Sequence, residues 1–160
     1  MTRSPRSFLS DGAGSGTGLA GPALLVLFAA LFFHGVLGGG RFYVLDFHQT
    51  FQPLRSVLGE ALRQGWPLWS SRLGNGTPLL ANPLHAALYP PNLLFAVLPV
   101  PATLTWLTVL HVLLGSLGAW RLGRSWGLGG PGAWTAALLF GFGGAAVSAT
   151  AFANLCWTQA

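Results

Sequence analysis

Residues 66–94, WPLWSSRLGNGTPLLANPLHAALYPPNLL, place two tryptophans, several prolines and glycines, and uncharged hydrogen-bonding side chains between two strongly apolar stretches. A plain connector between membrane helices is short and polar. This one alternates side chains that favour the headgroup region with turn residues and with Asn and His groups able to hold a polar ligand. The pattern predicts a shaped, functional loop at a bilayer surface, of the kind that carries the active site of an integral membrane enzyme.

The rest of the chain agrees with the membrane half of that reading. Of 160 residues, 7% are charged and 52% hydrophobic, and the mean hydropathy is +0.57. A soluble domain is about one-quarter charged, so a water-soluble fold is disfavoured. The net charge of +5 comes from arginine, because no lysine occurs, and the arginines are scattered singly. Without a basic patch, nucleic acid is not an expected partner. The excess suits anionic lipid headgroups, a lipid-linked phosphate, or the fixing of topology. Cys156 is the sole cysteine; it has no disulfide or CxxC partner and is expected to pack.

An apolar helix needs about 20 residues to cross a hydrocarbon core, and three segments qualify. The expected spans are 20–38, 102–120 and 132–152, following a Gly/Ser-rich tail over 1–19 that is expected to be disordered. A cleaved signal peptide is the rival for the first span. The long stretch ahead of it and the lack of a small-x-small site before Arg41 favour an uncleaved anchor. His34 lies near the end of that span, where a carbonyl bond is the ordinary role for histidine. His111 in the second span is expected to join helices by a hydrogen bond. Arg121 and Arg124 mark an interfacial stop. The small residues of GFGGAAVSATA suit close helix packing, and Gly143-Gly144 is a place for a break. Arginine counts on the two sides tie, and a cytoplasmic N-terminus is expected.

Loop 41–87 carries the chemistry. PLRSVLGEALRQG puts Leu54, Val57, Leu58, Ala61 and Leu62 at helical spacing, with Arg55, Ser56, Arg63 and Gln64 elsewhere. With Pro53 at the start and Gly65 at the end, it predicts an amphipathic helix over 53–64 lying in the interface plane, unless it serves only as a tether. Trp66 and Trp69 follow, at headgroup depth. The acidic residues are Asp11, Asp46 and Glu60. Asp11 lies in the tail, and Glu60 can pair with Arg63 or Gln64, which leaves Asp46 as the candidate general base. A carboxylate beside a span needs a partner, a metal or water; the competing role for Asp46 is a local cap or an ion pair with Arg41 or Arg55. No Ser-His-Asp series, HExxH, phosphate loop or ligand cluster is present.

Trp66-Pro67-Leu68-Trp69, Gly76-Thr77-Pro78-Leu79-Leu80-Ala81-Asn82 and Tyr89-Pro90-Pro91-Asn92-Leu93-Leu94, taken in order, resemble the first extracytoplasmic loop of YfhO-like bacterial membrane proteins, which have the C-type glycosyltransferase fold. The likeness continues through Leu110-His111, Gly115, Arg121, Arg124, Gly127 and Leu128, and covers most of the chain after Arg41. It implies transfer of a sugar from a polyprenyl-phosphate donor to an envelope glycan or polymer acceptor outside the cytoplasm. It also implies an acidic residue soon after the first span as base, a role that falls to Asp46. A divalent cation serves some enzymes of this fold, and its ligands would have to come from elsewhere in the chain. Arg55 and Arg72 are candidates for the donor phosphate, and Asn75, Asn82 and His85 for sugar hydroxyls.

The fold expected for residues 20–160 is therefore all-α integral membrane: about three transmembrane helices with interfacial amphipathic helices in the first extracytoplasmic loop, as the N-terminal part of a larger polytopic bundle in the bacterial inner membrane. The competing function is a non-enzymatic multi-span subunit or transporter fragment whose loop packs on a partner.

Overall fold

A computed structural model describes residues 20–42 and 46–150. The tail before Ala20, the end of the third expected span and Cys156 lie outside them. Among the described residues the regular secondary structure is helical apart from one small hairpin, and turns and irregular chain make up most of residues 65–89.

The first apolar segment forms α1 (Ala20–Phe32) and a single further turn, α2 (His34–Leu37). The continuous helix expected over 20–38 is interrupted at Phe33, whose φ of −96° and ψ of 15° leave the helical region. The His34 ring bonds the Leu31 carbonyl through Nδ1 at 2.8 Å, the carbonyl role expected of it. At 13 residues, α1 is about 20 Å long, short of a hydrocarbon core of about 30 Å. Among the described residues two helical stretches are long and apolar enough to cross a membrane: α4 (Val100–Ser125), and Gly130–Ala149, which comprises α5 (Gly130–Phe142) and α6 (Gly144–Ala149).

α4 runs past the expected end at 120 and contains Arg121 and Arg124, because nothing in RLGRS stops a helix. The stop comes at Gly127, whose φ of +82° only glycine adopts cheaply. Gly127 N donates to the Arg124 carbonyl at 3.1 Å and Leu128 N to the Gly123 carbonyl at 3.0 Å. These are the paired bonds of a Schellman ending, with the Leu128 side chain folded back on Gly123. Pro131 then suits the first turn of α5, and the two helices pack antiparallel through small residues. A Cβ on Gly141 would lie 1.7 Å from Ser116 Oγ and 3.2 Å from the Val112 carbonyl. The helix breaks at Gly143, as expected, and resumes as α6. Phe33, Phe47, Phe51, Phe95, Leu104 and Leu107 belong to the main buried core, which joins the loop to α4.

α3 (Gln52–Gln64) occupies the segment expected to be helical, with a proline in its first turn and Gly65 at its end. Its inner face differs from the expected one. Arg55, Leu58 and Gly59 are buried, while Leu54, Val57 and Ala61 are half-buried. The reason is the 3₁₀-helix Pro90–Ala96, which crosses α3 so closely that a Cβ on Gly59 would lie 2.2 Å from the Phe95 carbonyl oxygen. A helix face carrying a glycine can approach backbone where a leucine face cannot.

Candidate functional site

α3 is entered through a π-helical turn, Phe47–Phe51, and Asp46 stands at its N-cap position. The turn buries Phe47 and Phe51 in the core and leaves Asp46 half-buried, with no cap hydrogen bond from its side chain. Isolated π-helical turns are rare and concentrate at functional sites. Neither of the ion pairs weighed for Asp46, with Arg41 or Arg55, is found among the described residues, where the one salt bridge joins Arg72 to Glu60. Asp46 is not among the residues lining the polar cleft described below.

Arg55 is fully buried. Its Nη1 donates to the Leu84 carbonyl at 2.8 Å and to the His85 carbonyl at 2.7 Å, pinning the loop to α3. Burial pushes the guanidinium down to about 10, so it stays charged at neutral pH. A buried charge is tolerable when carbonyl oxygens replace its water. The His85 peptide is also approached by Asn92, another fully buried side chain, whose Nδ2 donates to the Ala86 carbonyl at 2.7 Å and more loosely to the His85 carbonyl at 3.4 Å. Ala86 takes a φ of +45° inside this clamp, the one non-glycine residue with positive φ among the described residues.

The His85 ring is buried completely, and among the described residues neither nitrogen makes a hydrogen bond of ordinary geometry. Burial holds the imidazole below its usual 6.5, and the Arg55 charge acts in the same direction; the backbone of Leu54 has the smallest influence and opposes them. His85 is thus neutral and enclosed, in a position where a sugar cannot reach it without loop movement. Asn82 caps the same turn, its Oδ1 accepting from Leu84 N at 3.0 Å. Tyr89 carries the loop onto α4: His111 Nδ1 donates to the Leu107 carbonyl at 2.6 Å, and Nε2 faces the Tyr89 hydroxyl. His111 therefore joins helix to loop, whereas a helix-to-helix bond was expected.

The remaining candidates lie on the hairpin. β1 (Trp69–Ser70) pairs antiparallel with β2 (Thr77–Pro78), and Asn75 is exposed in the turn between them. The Trp69 ring covers Gly76, where a Cβ would lie 2.6 Å from it. Arg72 Nη1 donates to Glu60 Oε2 at 2.5 Å, tying the hairpin to α3. The expected partner of Glu60 was Arg63 or Gln64 in the next turn; Arg63 instead donates to the Ala96 carbonyl at 3.2 Å. Between α3 and the hairpin lies a mostly polar cleft of about 130 Å³, lined by Glu60, Gln64, Trp69, Ser70, Ser71 and Arg72.

The structure thus gathers Arg55 and His85 into one buried clamp with half-buried Asn82 at its edge, sets Arg72 and Asn75 on the hairpin, and keeps Asp46 apart at the helix entry. Asn92, Tyr89 and Gly59 are the residues that sequence reasoning did not single out as structural keys. Asn92 and Tyr89 stand in the motif YPPNLL, but nothing in their spacing reveals that one bonds backward to the loop and the other across to α4. No group of three or more His, Cys, Asp or Glu side chains suited to a metal ion occurs among the described residues. Comparison with protein-family models, curated proteins and solved structures finds no match.

Proposed function

We propose that this chain acts in a membrane glycosyltransferase resembling the YfhO-like proteins, with Asp46 as general base. The observation that carries the reading is the placement of Asp46: a half-buried carboxylate without a cap bond, at the mouth of a π-helical turn, between the first apolar helix and α3. The exposed apolar side chains along α1, α4 and α5, among them Leu27, Leu31, Trp106, Leu110, Leu139 and Phe140, support immersion in lipid.

In this reading the polar loop stands at the extracytoplasmic headgroup level of a bacterial inner membrane, and a polyprenyl-phosphate sugar enters beside it. Asp46 takes the proton of an acceptor hydroxyl. The resulting oxygen nucleophile bonds to the anomeric carbon, the bond from that carbon to the phosphate oxygen breaks, and the lipid phosphate departs as an anion. Arg55 is committed to two carbonyls and Arg72 to Glu60. Charge for the departing phosphate falls instead to Arg41, which is exposed shortly before Asp46 and makes no ion pair among the described residues.

The test is Asp46→Asn in the full-length natural protein, with lipid-linked sugar consumption and envelope glycan as readouts. Loss of a general base lowers transfer by about 10²–10⁴-fold with protein level unchanged. Glycan made at the wild-type rate would leave the second reading, a non-enzymatic multi-span subunit. That alternative is favoured by one observation: Asp46 is not among the residues lining the polar cleft beside α3.

A further inference from the structure

We infer that the cleft between α3 and the hairpin is a binding site for a single neutral sugar ring of the acceptor glycan, set back from the end that reacts at Asp46. This deepens the glycosyltransferase reading and rests on it.

Three features of the cleft argue for that ligand. Its walls combine an aromatic ring with planar or hydroxyl-bearing polar side chains: Trp69, which is 62% exposed, beside Gln64, Ser70, Ser71 and the Glu60–Arg72 pair. A pyranose has an apolar C–H face and a rim of hydroxyls, so an indole accepts the face while amide, carboxylate and guanidinium groups bond adjacent hydroxyls. The charge is also decisive. Arg72 is the only cation lining the cleft and Glu60 the only anion, and they neutralise one another at 2.5 Å. An anionic ligand such as a phosphate would have to break that pair, whereas an uncharged polyol can bond both partners without doing so. Size is the third feature. About 130 Å³ falls below the roughly 300–1,000 Å³ of pockets that enclose drug-sized ligands, which suits one ring half-seated in the cleft.

The cleft is also firmly built. α3 is anchored through Arg55, the hairpin through its paired strands, and the two are joined by the ion pair. Its walls are thus set before a ligand arrives, which lowers the ordering cost of weak binding.

The experiment uses the full chain in lipid nanodiscs free of glycoside detergents, titrated with methyl hexopyranosides and, separately, with inorganic phosphate, and followed by saturation-transfer NMR. Wild type is expected to bind at least one methyl hexopyranoside saturably, near millimolar Kd, with phosphate failing to displace it. Trp69→Ala and Gln64→Ala should each weaken that binding at least about tenfold. Because Trp69 also covers Gly76, Gln64→Ala is the variant that leaves the hairpin intact. Glu60→Gln should release Arg72 and confer phosphate binding. The inference is overturned if no methyl hexopyranoside saturates, if Gln64→Ala binds like wild type, or if phosphate displaces the glycoside from wild type; a Trp69 serving solely as a headgroup anchor would give the first result. Asp46→Asn should keep glycoside binding while losing transfer. Absent binding with intact transfer overturns the sugar cleft alone, and transfer surviving Asp46→Asn with binding intact overturns the catalytic role alone.

Discussion

Replacing Arg55 with alanine should unfasten the loop over residues 82–92 while leaving the apolar helices in place. The guanidinium makes two charge-assisted bonds, to the carbonyls of Leu84 and His85, each worth about 1.5–3 kcal/mol. Against that stands the cost of holding the charge out of water. A pKa lowered to about 10 corresponds to about 3 kcal/mol at about 1.4 kcal/mol per pH unit. The net gain from Arg55 is therefore small, yet its removal is expensive, because both carbonyls lose a donor inside a dry site and a void replaces the side chain. The expected loss is about 3–5 kcal/mol for local opening. Arg55→Lys, which can reach one carbonyl at a time, should fall between alanine and wild type. Hydrogen exchange reads this directly, since the amides of His85, Ala86, Tyr89 and Asn92 all bond within the clamp. In Arg55→Ala they should exchange roughly a hundred- to several-thousand-fold faster, with α4 protection little changed. Unchanged protection of these amides in a folded Arg55→Ala protein would refute the idea that this side chain holds the loop.

The same clamp predicts a pH effect. The His85 imidazole is held below its ordinary 6.5 in the folded loop, so the open form binds the proton more readily. Loop stability should be full above that value and fall as pH drops below it, by up to about 1.4 kcal/mol per pH unit. The difference in hydrogen exchange between wild type and His85→Gln isolates this from the other histidines; a wild-type loop no more labile at low pH than the variant would contradict it. Gly59→Ala drives a methyl into the Phe95 carbonyl and should cost about 1–3 kcal/mol in thermal unfolding, as overpacking does; an unshifted Tm would show that the 3₁₀-helix yields freely. Gly141→Ala, which meets Ser116 Oγ and the Val112 carbonyl, should separate α4 from α5, and Gly141→Ala combined with Ser116→Ala should recover part of the loss. Equal melting of the single and double variants would rule out that contact as the cause.

The helices of this fold were legible because their signals are local. Apolar runs, Pro53 near a helix start, Gly65 at a helix end and the Gly143-Gly144 pair each act within a turn or two, whereas the stop of α4 at Gly127 lies beyond the end expected at 120. The inner face of α3 was not legible, since hydrophobic spacing points to Leu54 and Val57, whereas a backbone crossing by the 3₁₀-helix selects Gly59 and brings Arg55 inside. Arg55 and Arg72 looked like phosphate ligands because a lone arginine in an apolar loop advertises its charge. Its actual partners, carbonyls about 30 residues on for Arg55 and a carboxylate 12 residues back for Arg72, depend on tertiary closure. Asp46 stood out through the scarcity of acids, and that reasoning does not depend on the fold; the unusual turn beside it leaves no sequence mark.

That turn also fixes an angle. A π-helical turn accommodates one residue more than the α-helical path it replaces, and each residue of a regular helix rotates its successor by about 100°. Deleting a single residue between Phe47 and Phe51 would let α3 extend without interruption and swing Asp46 by that amount around the cylinder, towards the opposite flank. The aim of the carboxylate is thus written in the length of five residues, independently of the chemistry of Asp46 itself.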